Sequence, residues 1–268
     1  MQHALSVVVP AFNEAGNLPD LIDQIFRVFL EEAYPARECI VVDDASTDNT
    51  EFTMHELMQR YTGLRYIKMR KNSGQSAALL TGMRSAQGEY IITLDGDLQN
   101  DPADIPKIVD ALAQADCVCG YRENRQDSWG RLLSSYCGNL VRRQIVDDGI
   151  RDAGCGLKGF RRECIPHLLP FHGVHRFFAA MVKNAGLRVI EVPIRHHPRK
   201  AGQSKYNFRN RFFWVLYDFI GVAWLRRRYL LIESEEVTAI TLQPTESFTA
   251  ISASSENKLF PHAPSHRL

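Results

Sequence analysis

The sequence predicts an α/β protein with a mostly parallel sheet flanked by helices. Three observations carry this. Short apolar runs alternate with helix-period segments through the first two-thirds of the chain. The runs are continuously apolar, the pattern of strands covered on both faces. Polar clusters follow three of them: "AFNE" (11–14), "DDASTD" (43–48) and "DGDLQ" (95–99). In open α/β sheets, ligands sit beyond the carboxyl ends of the strands, where these clusters fall.

In chain order, "LSVVVP" reads as a buried strand. Asn17 can cap a helix with Pro19 in its first turn, and Leu18, Leu21, Ile22, Ile25, Phe26, Phe29 and Leu30 give that helix one apolar face. "ECIVVDD" is a second strand, and Asp48 can cap the helix after it. "LRYIKM" is a third strand, "SGQSAALLTGMRSA" a helix rich in small residues, and "EYIITLD" a fourth strand. A helix from about Pro102 leads to a fifth, "DCVCGY". The pattern then changes. "WGRLLSSYCGNLVRRQI" reads as an amphipathic helix, "RDAGCGLKGFRRE" as a glycine-rich turn segment and "LRVIEVPIRHH" as another strand. "PRKAGQSKYN" has the composition of a basic mobile loop.

The chain has 268 residues and a formal net charge of +1, an ordinary globular composition. That suits one domain of about 200 residues plus extras. "LSVVVP" is too short and lacks the basic flank of a secretory signal. The six Cys form neither a C-x-x-C pair nor a zinc-spaced Cys/His run, so a reduced, cytoplasmic protein is expected. No G-x-G-x-x-G follows the first strand, which argues against a dinucleotide-dependent dehydrogenase. No nucleic-acid partner is expected. The near-zero charge hides an imbalance: Arg195–Arg228 holds nine Lys/Arg against one acid, Asp218. Such a stretch is a solvated basic face or a surface for phosphates and anionic lipid. Within it, 212–225 is a 14-residue apolar run with one charge, closed by Arg226–Arg228. It is short of the roughly 20 residues a spanning helix needs. Aromatic anchors and flanking cations favour an interfacial helix; a core helix or a re-entrant insertion is the alternative. From 233 to 268 the composition turns Ser/Thr/Glu/Pro-rich without period and reads as a disordered tail.

The acidic stretch after the fourth strand carries the chemistry. Asp95, Asp97 and Asp101 fall within seven positions, and such carboxylates repel unless a cation offsets them. A polar turn opening the next helix is the plain reading. The sharper one is a divalent metal, because Asp95 and Asp97 at i and i+2 can face one ion. Mg2+ or Mn2+ prefers oxygen ligands and is held by one or two carboxylates plus substrate phosphates. Asp101 suits the positive end of the following helix.

Five stretches in order, "VVVPAFNE", "VVDDASTDNT", "DGDLQ", "GYRENRQD" and "HHPRKAGQSKYN", resemble the polyprenyl-phosphate glycosyltransferases, the dolichyl-phosphate mannose synthase-like group of family 2 glycosyltransferases with a GT-A fold. The resemblance covers about residues 4–210. It implies a GT-A domain over 1–210, a membrane-interface helix over 211–232 and the tail beyond. It further implies inverting, metal-dependent sugar transfer from a nucleotide sugar (GDP-mannose or a UDP-sugar) to a polyprenyl phosphate. The enzyme would lie on the cytoplasmic face of a membrane. Many relatives carry added transmembrane helices; none is read here, which leaves open a soluble acceptor or docking onto a membrane-protein partner.

The resemblance also assigns roles. Gln99 joins Asp95 and Asp97 as a metal ligand, the metal assisting departure of the diphosphate. Pro10, Phe12 and Glu14 after the first strand go to the nucleotide sugar. Phe12, where the family usually has Tyr, keeps a ring face for the base or is a core aromatic. Asp44 would accept from the base or ribose, with Val42 offering backbone contacts only; Asp43 is as well read as a loop stabiliser. Read from the residues, Gly74 and Gln75 open the small-residue helix, either letting its N–H groups approach the donor or simply capping it. Arg122, Arg131 and Ser135 match residues that meet donor or acceptor phosphate, whereas Arg125 reads as solvated. Arg199 and Lys205, supported by Ser204 and Tyr206, would close over the diphosphate. His196 and His197 read as supporting or exposed. Asp152 occupies the region where relatives acting on hydroxyls carry their base. A phosphate monoester is largely dianionic at neutral pH and demands no base. Asp152 is therefore expected to position the acceptor or Arg side chains, within a catalytic set of Asp95, Asp97, Asp152, Arg199 and Lys205. Two competing readings remain: a saccharide-hydroxyl acceptor with Asp152 as base, and a non-catalytic nucleotide-sugar-binding module.

Overall fold

The computed structural model describes residues 4–34, 36–122, 146, 148–198 and 208–230. Its strands are β1 (Leu5–Ala11), β2 (Arg37–Asp43), β3 (Leu64–Lys68), β4 (Tyr90–Thr93), β5 (Cys117–Arg122), β6 (Lys158–Arg161) and β7 (Val189–Ile194). Its α-helices are α1 (Leu18–Glu31), α2 (Thr50–Arg60), α3 (Gln75–Ser85), α4 (Ile105–Leu112), α5 (Phe178–Asn184) and α6 (Phe208–Arg228), with short 3-10 turns between.

Period-two alternation assigns each strand residue to one face. Val7, Val9, Cys39 and Val41 point toward α1, α2 and α4. Val8, Ile40 and Val42 point toward α3 and α5, a second core layer with Leu79, Met83 and Phe178. Both faces are covered, as the unbroken apolar runs require. α3 lies close on the sheet at Gly82, where a Cβ would overlap Val8 Cγ1 and stand 3.0 Å from Val42 Cγ2. The missing side chain of Gly82 is a packing requirement.

The sheet order is β3-β2-β1-β4-β6-β5-β7 among the described residues. β1 pairs in parallel with β2 and β4, and β5 with β7. The exception is β6, antiparallel to both neighbours. This corrects the expectation of a pure turn segment at "RDAGCGLKGFRRE". A four-residue strand split by Gly159 has too little length to show a period. Its direction matters for function. Lys158 aligns with Thr93 and Cys119, so the preceding residues 152–157 lie over the carboxyl ends of β4 and β5.

α6 starts at Phe208 and belongs to the same compact unit as the sheet, Met1–Leu231. Phe219 and Val222 are buried against Val146, Phe177 and Ala180, with the Phe177 and Phe219 rings 5.7 Å apart. Arg176 meets Asp218 at 3.2 Å. Tyr217, Ile220 and Trp224 are exposed. The run read as either core or interface has one face for packing and one for solvent. The expected helix after Arg122, the basic loop and the tail from 233 lie outside the described residues.

Candidate active site

The loops at the carboxyl ends of the strands are knitted together. Asn13 takes a positive φ of 58° after β1, and its Oδ1 accepts from the Thr47 N–H at 2.7 Å. Ala15 N–H donates to Asp48 Oδ2. Asp48 also takes the Thr50 N–H at 3.0 Å and the Thr50 hydroxyl at 2.6 Å, doing the capping work expected of it although Asn49 precedes the helix. Asn17 precedes α1 without a side-chain cap and instead donates to Glu14 Oε2 at 2.6 Å.

Asp43 and Asp44 divide their work. Asp43 is fully buried and takes the Ser46 N–H at 2.8 Å and the Tyr66 hydroxyl at 2.6 Å, the loop-stabilising role. Asp44 accepts the Ser73 N–H on one oxygen and the Gly74 N–H on the other, both at 2.7 Å. Its carboxylate thereby fixes the turn that opens α3. Val42 is brought into the core beneath α3, with its backbone paired in the sheet to Pro10 and Ile67. Phe12 and Glu14 stand half-buried just beyond β1. The Pro10 carbonyl and Glu14 Cγ come within 3.1 and 3.6 Å of where a Gly96 Cβ would be, so the first loop touches the acidic turn directly.

Asp95 follows β4 by two residues and is half-buried. Gln75 Nε2, from the start of α3, donates to its Oδ1 at 2.8 Å. Burial and then the neighbouring Asp97 push the Asp95 carboxyl up to about 6, against the opposing influence of Lys158, the Gln75 bond and Arg122. Asp97 Oδ1 accepts the Gln99 N–H at 3.2 Å. Leu98 between them has φ 60°, a left-handed conformation unusual for Leu, held by burial of its side chain. The Gln99 carbonyl accepts from the His197 N–H, and Asn100 bridges to His196, tying the turn to the end of β7. Asp101 accepts from Ala103 N–H at the following turn, as expected, and meets Arg195 and His197. Burial would raise its carboxyl, but those three partners outweigh it and hold it below the usual range.

Behind Asp95 lies a cavity of about 130 Å3 lined by Gln75, Asp95, Gly156, Lys158, His175 and Arg176 among others. Sequence reasoning missed the last four. Lys158 is 4% exposed and donates to the carbonyls of Ala153 and Cys155, folding the segment before β6. His175 Nδ1 is 2.7 Å from the Ser76 hydroxyl, which also takes the Gly173 N–H. The available signal was cations set between small or aromatic residues in "GLKGF" and "VHRFF".

Arg122 and Asp152 meet as a fork: Nε to Oδ2 at 2.6 Å and Nη2 to Oδ1 at 2.9 Å. Arg122 and Asp152, 30 positions apart, form one ion pair. Arg131, Ser135, Arg199 and Lys205 lie outside the described residues, as do Arg125, Ser204 and Tyr206. The structure brings together Asp95, Asp97, Gln75 and, through its backbone, Gln99. Asp44 joins them by way of α3.

The donor set near Asp95 fits Mg2+ or Mn2+. It is made of oxygens, and two like charges sit side by side in a half-buried turn. Among the described residues no three His, Cys, Asp or Glu are grouped to hold a metal alone. Mg2+ is usually held by one or two carboxylates, with waters and substrate phosphates supplying the rest.

Residues 6–169 match the model of the glycosyl transferase family 2. The chain belongs to that family. This family 2 glycosyltransferase is 37% identical over 230 residues to a dodecaprenyl-phosphate galacturonate synthase of Rhizobium johnstonii, covering 83% of this chain and 67% of the relative. Among solved structures it is similar to the glucosyl-3-phosphoglycerate synthase of Mycobacterium tuberculosis in complex with Mn2+, UDP and glucosyl-3-phosphoglycerate. The TM-score is 0.63 at 20% identity, over 87% of this chain and 82% of that one. It is also similar to a mannosyltransferase of Pyrobaculum calidifontis in complex with GDP-Man and Mn2+. There the TM-score is 0.62 at 23% identity, over 83% of this chain and 64% of that one. At these identities the structures share the fold, which is the GT-A fold. The strand order, with its one antiparallel insertion, is the GT-A glycosyltransferase sheet of this chain.

Proposed function

We propose that this glycosyltransferase transfers a sugar from a nucleotide sugar to a polyprenyl phosphate, with inversion at the anomeric carbon. The observation that carries the reading is the 37% identity, over 83% of the chain, to a synthase whose product is named a dodecaprenyl-phosphate sugar. In a single displacement, an acceptor phosphate oxygen bonds to the anomeric carbon as the bond to the nucleotide diphosphate breaks. Asp95 and Asp97, with Gln99, would hold Mg2+ or Mn2+, which when bound supplies charge neutralisation of the departing diphosphate. Gln75 orients Asp95, and Asp44 holds the turn that presents Gln75. Phe12, half-buried just beyond β1, would offer its ring face to the base, and Glu14 would meet the nucleotide sugar. Arg199 and Lys205 would close over the diphosphate, and Arg122, Arg131 and Ser135 would receive the acceptor phosphate. A phosphate dianion needs no base, and the Asp152 carboxylate is engaged by Arg122, which favours positioning over proton removal.

The deciding assay gives purified protein a panel of radiolabelled nucleotide sugars, headed by the galacturonate donor that the relative's name suggests. Polyprenyl phosphate in detergent is the acceptor, with Mg2+ or Mn2+. EDTA-sensitive label in the organic phase is the expected result. Metal-dependent release of nucleotide only with added saccharides would overturn it in favour of a hydroxyl acceptor.

A lipid acceptor requires the enzyme to rest on a membrane, on its cytoplasmic face in this reading. No helix of the described residues is long and apolar enough to cross one. α6 instead turns Tyr217, Ile220 and Trp224, spaced i, i+3, i+7, to the outside, with exposed Arg227 and Arg228 following. Changing these three apolar residues to Ser should release the protein from anionic liposomes in a sedimentation assay. Because Phe219 and Val222 carry the packed face, the melting temperature should hold. Unchanged sedimentation with lipid would sink the interfacial role.

A further inference from the structure

We propose that Gly156 is a positioning residue: the absence of its side chain creates the space that the Asp95 carboxylate occupies. The inference deepens the proposed cation role of Asp95 and rests on that reading for its consequence in activity.

A Cβ at Gly156 would overlap Asp95 Cγ and Oδ2 and stand 2.7 Å from Oδ1. Gly156 itself cannot easily retreat. Its carbonyl accepts from the Thr93 hydroxyl at 2.9 Å. Lys158 Nζ holds the Ala153 and Cys155 carbonyls on the same segment. Leu157 O, next along, accepts the Gly120 N–H at 2.9 Å, pinning the segment to β5. The Asp95 side chain, by contrast, is held by rotamer and by one Gln75 bond at 2.8 Å. Between a clamped backbone and the end of a rotatable side chain, the side chain gives way. Gly156→Ala should therefore swing the carboxylate off Gln75 at small cost in stability and large cost in function. Gly154 is a built-in control two positions away. A Cβ there meets nothing closer than 3.6 Å, an ordinary contact.

The test is a set of single variants and one double-mutant cycle on the full chain. Mn2+ binding in the presence of UDP is followed by electron paramagnetic resonance, and melting by circular dichroism. Gly156→Ala should weaken Mn2+ binding about 10- to 100-fold, as loss of a ligand-orienting contact does. Its melting temperature should fall by less than about 4 °C. Gly154→Ala should leave Mn2+ binding unchanged. In an Asp95→Ala background, Gly156→Ala should cost less stability than in the parent, because the atoms it displaces are gone. Parent-like Mn2+ binding by Gly156→Ala, or an equal melting cost in both backgrounds, would overturn the proposal. Failure of the parent itself to bind Mn2+ would strike the cation reading of Asp95. The cycle would still decide whether Gly156 shapes the carboxylate's place.

Discussion

Asp97→Ala should lower the rate of sugar transfer by about a hundredfold or more. Asp97 lies beside Asp95 in the turn after β4, close enough that its charge helps push the Asp95 carboxyl up. A cation shared by both carboxylates would remove that repulsion, and in the proposed reaction the same cation would neutralise the departing diphosphate. With Ala at 97, one of the two protein charges proposed to hold the ion would be gone, and Asp95 alone would compete with water for it. The fold should survive. Asp97 is half-buried and its Gln99 contact is local, whereas the turn is anchored by buried Leu94 and Leu98. Initial rates across a Mn2+ titration, with circular dichroism on the same samples, give the measurement. A loss partly recovered at high Mn2+ is expected; undiminished transfer would remove Asp97 from the cation.

The second large effect is on stability. Asp152→Ala takes away the carboxylate that receives two N–H groups of Arg122, in a pair whose side chains are 16% and 9% exposed. Breaking a buried, forked ion pair from one side costs about 3–5 kcal/mol, so the melting temperature should fall on the order of 10 °C. Asp152→Asn keeps one acceptor for the fork and should cost less. This variant separates the two roles considered for Asp152. Loss of a general base slows turnover by at least about a hundredfold, whereas a positioning carboxylate replaced by its amide should leave transfer to polyprenyl phosphate above that level. Abolished transfer in a stably folded Asp152→Asn protein would make Asp152 the base.

Asp95 and Asp97 were legible as a pair because i, i+2 spacing on a turn after an apolar strand is a local pattern. Asp44 was legible as an important carboxylate. Its partners, the N–H groups of Ser73 and Gly74, were not, because they belong to a turn 29 and 30 positions away. The Arg122–Asp152 pair shows the same limit: each residue was singled out, and only folding made them one device. Lys158 was missed outright. A cation in a glycine-rich stretch reads as solvated until the antiparallel strand β6 buries it against Ala153 and Cys155. The apolar run of α6 was a choice between core and interface, and folding gave it a buried face at Phe219 and Val222 while leaving Tyr217, Ile220 and Trp224 exposed.

By itself, the sequence determined the α/β class, the order of strands and helices through β5, the placement of polar clusters at strand ends, and the acidic turn. Each of these is encoded within a window of a few residues by hydrophobic period and turn chemistry. Only the tertiary structure decided that β6 enters between β4 and β5 in the opposite direction. That insertion lays Gly156 against the Asp95 carboxylate and closes a cavity with Lys158, His175 and Arg176 behind it. These are contacts between segments far apart in the chain. Their geometry is set by how whole layers pack, which no local pattern of residues records.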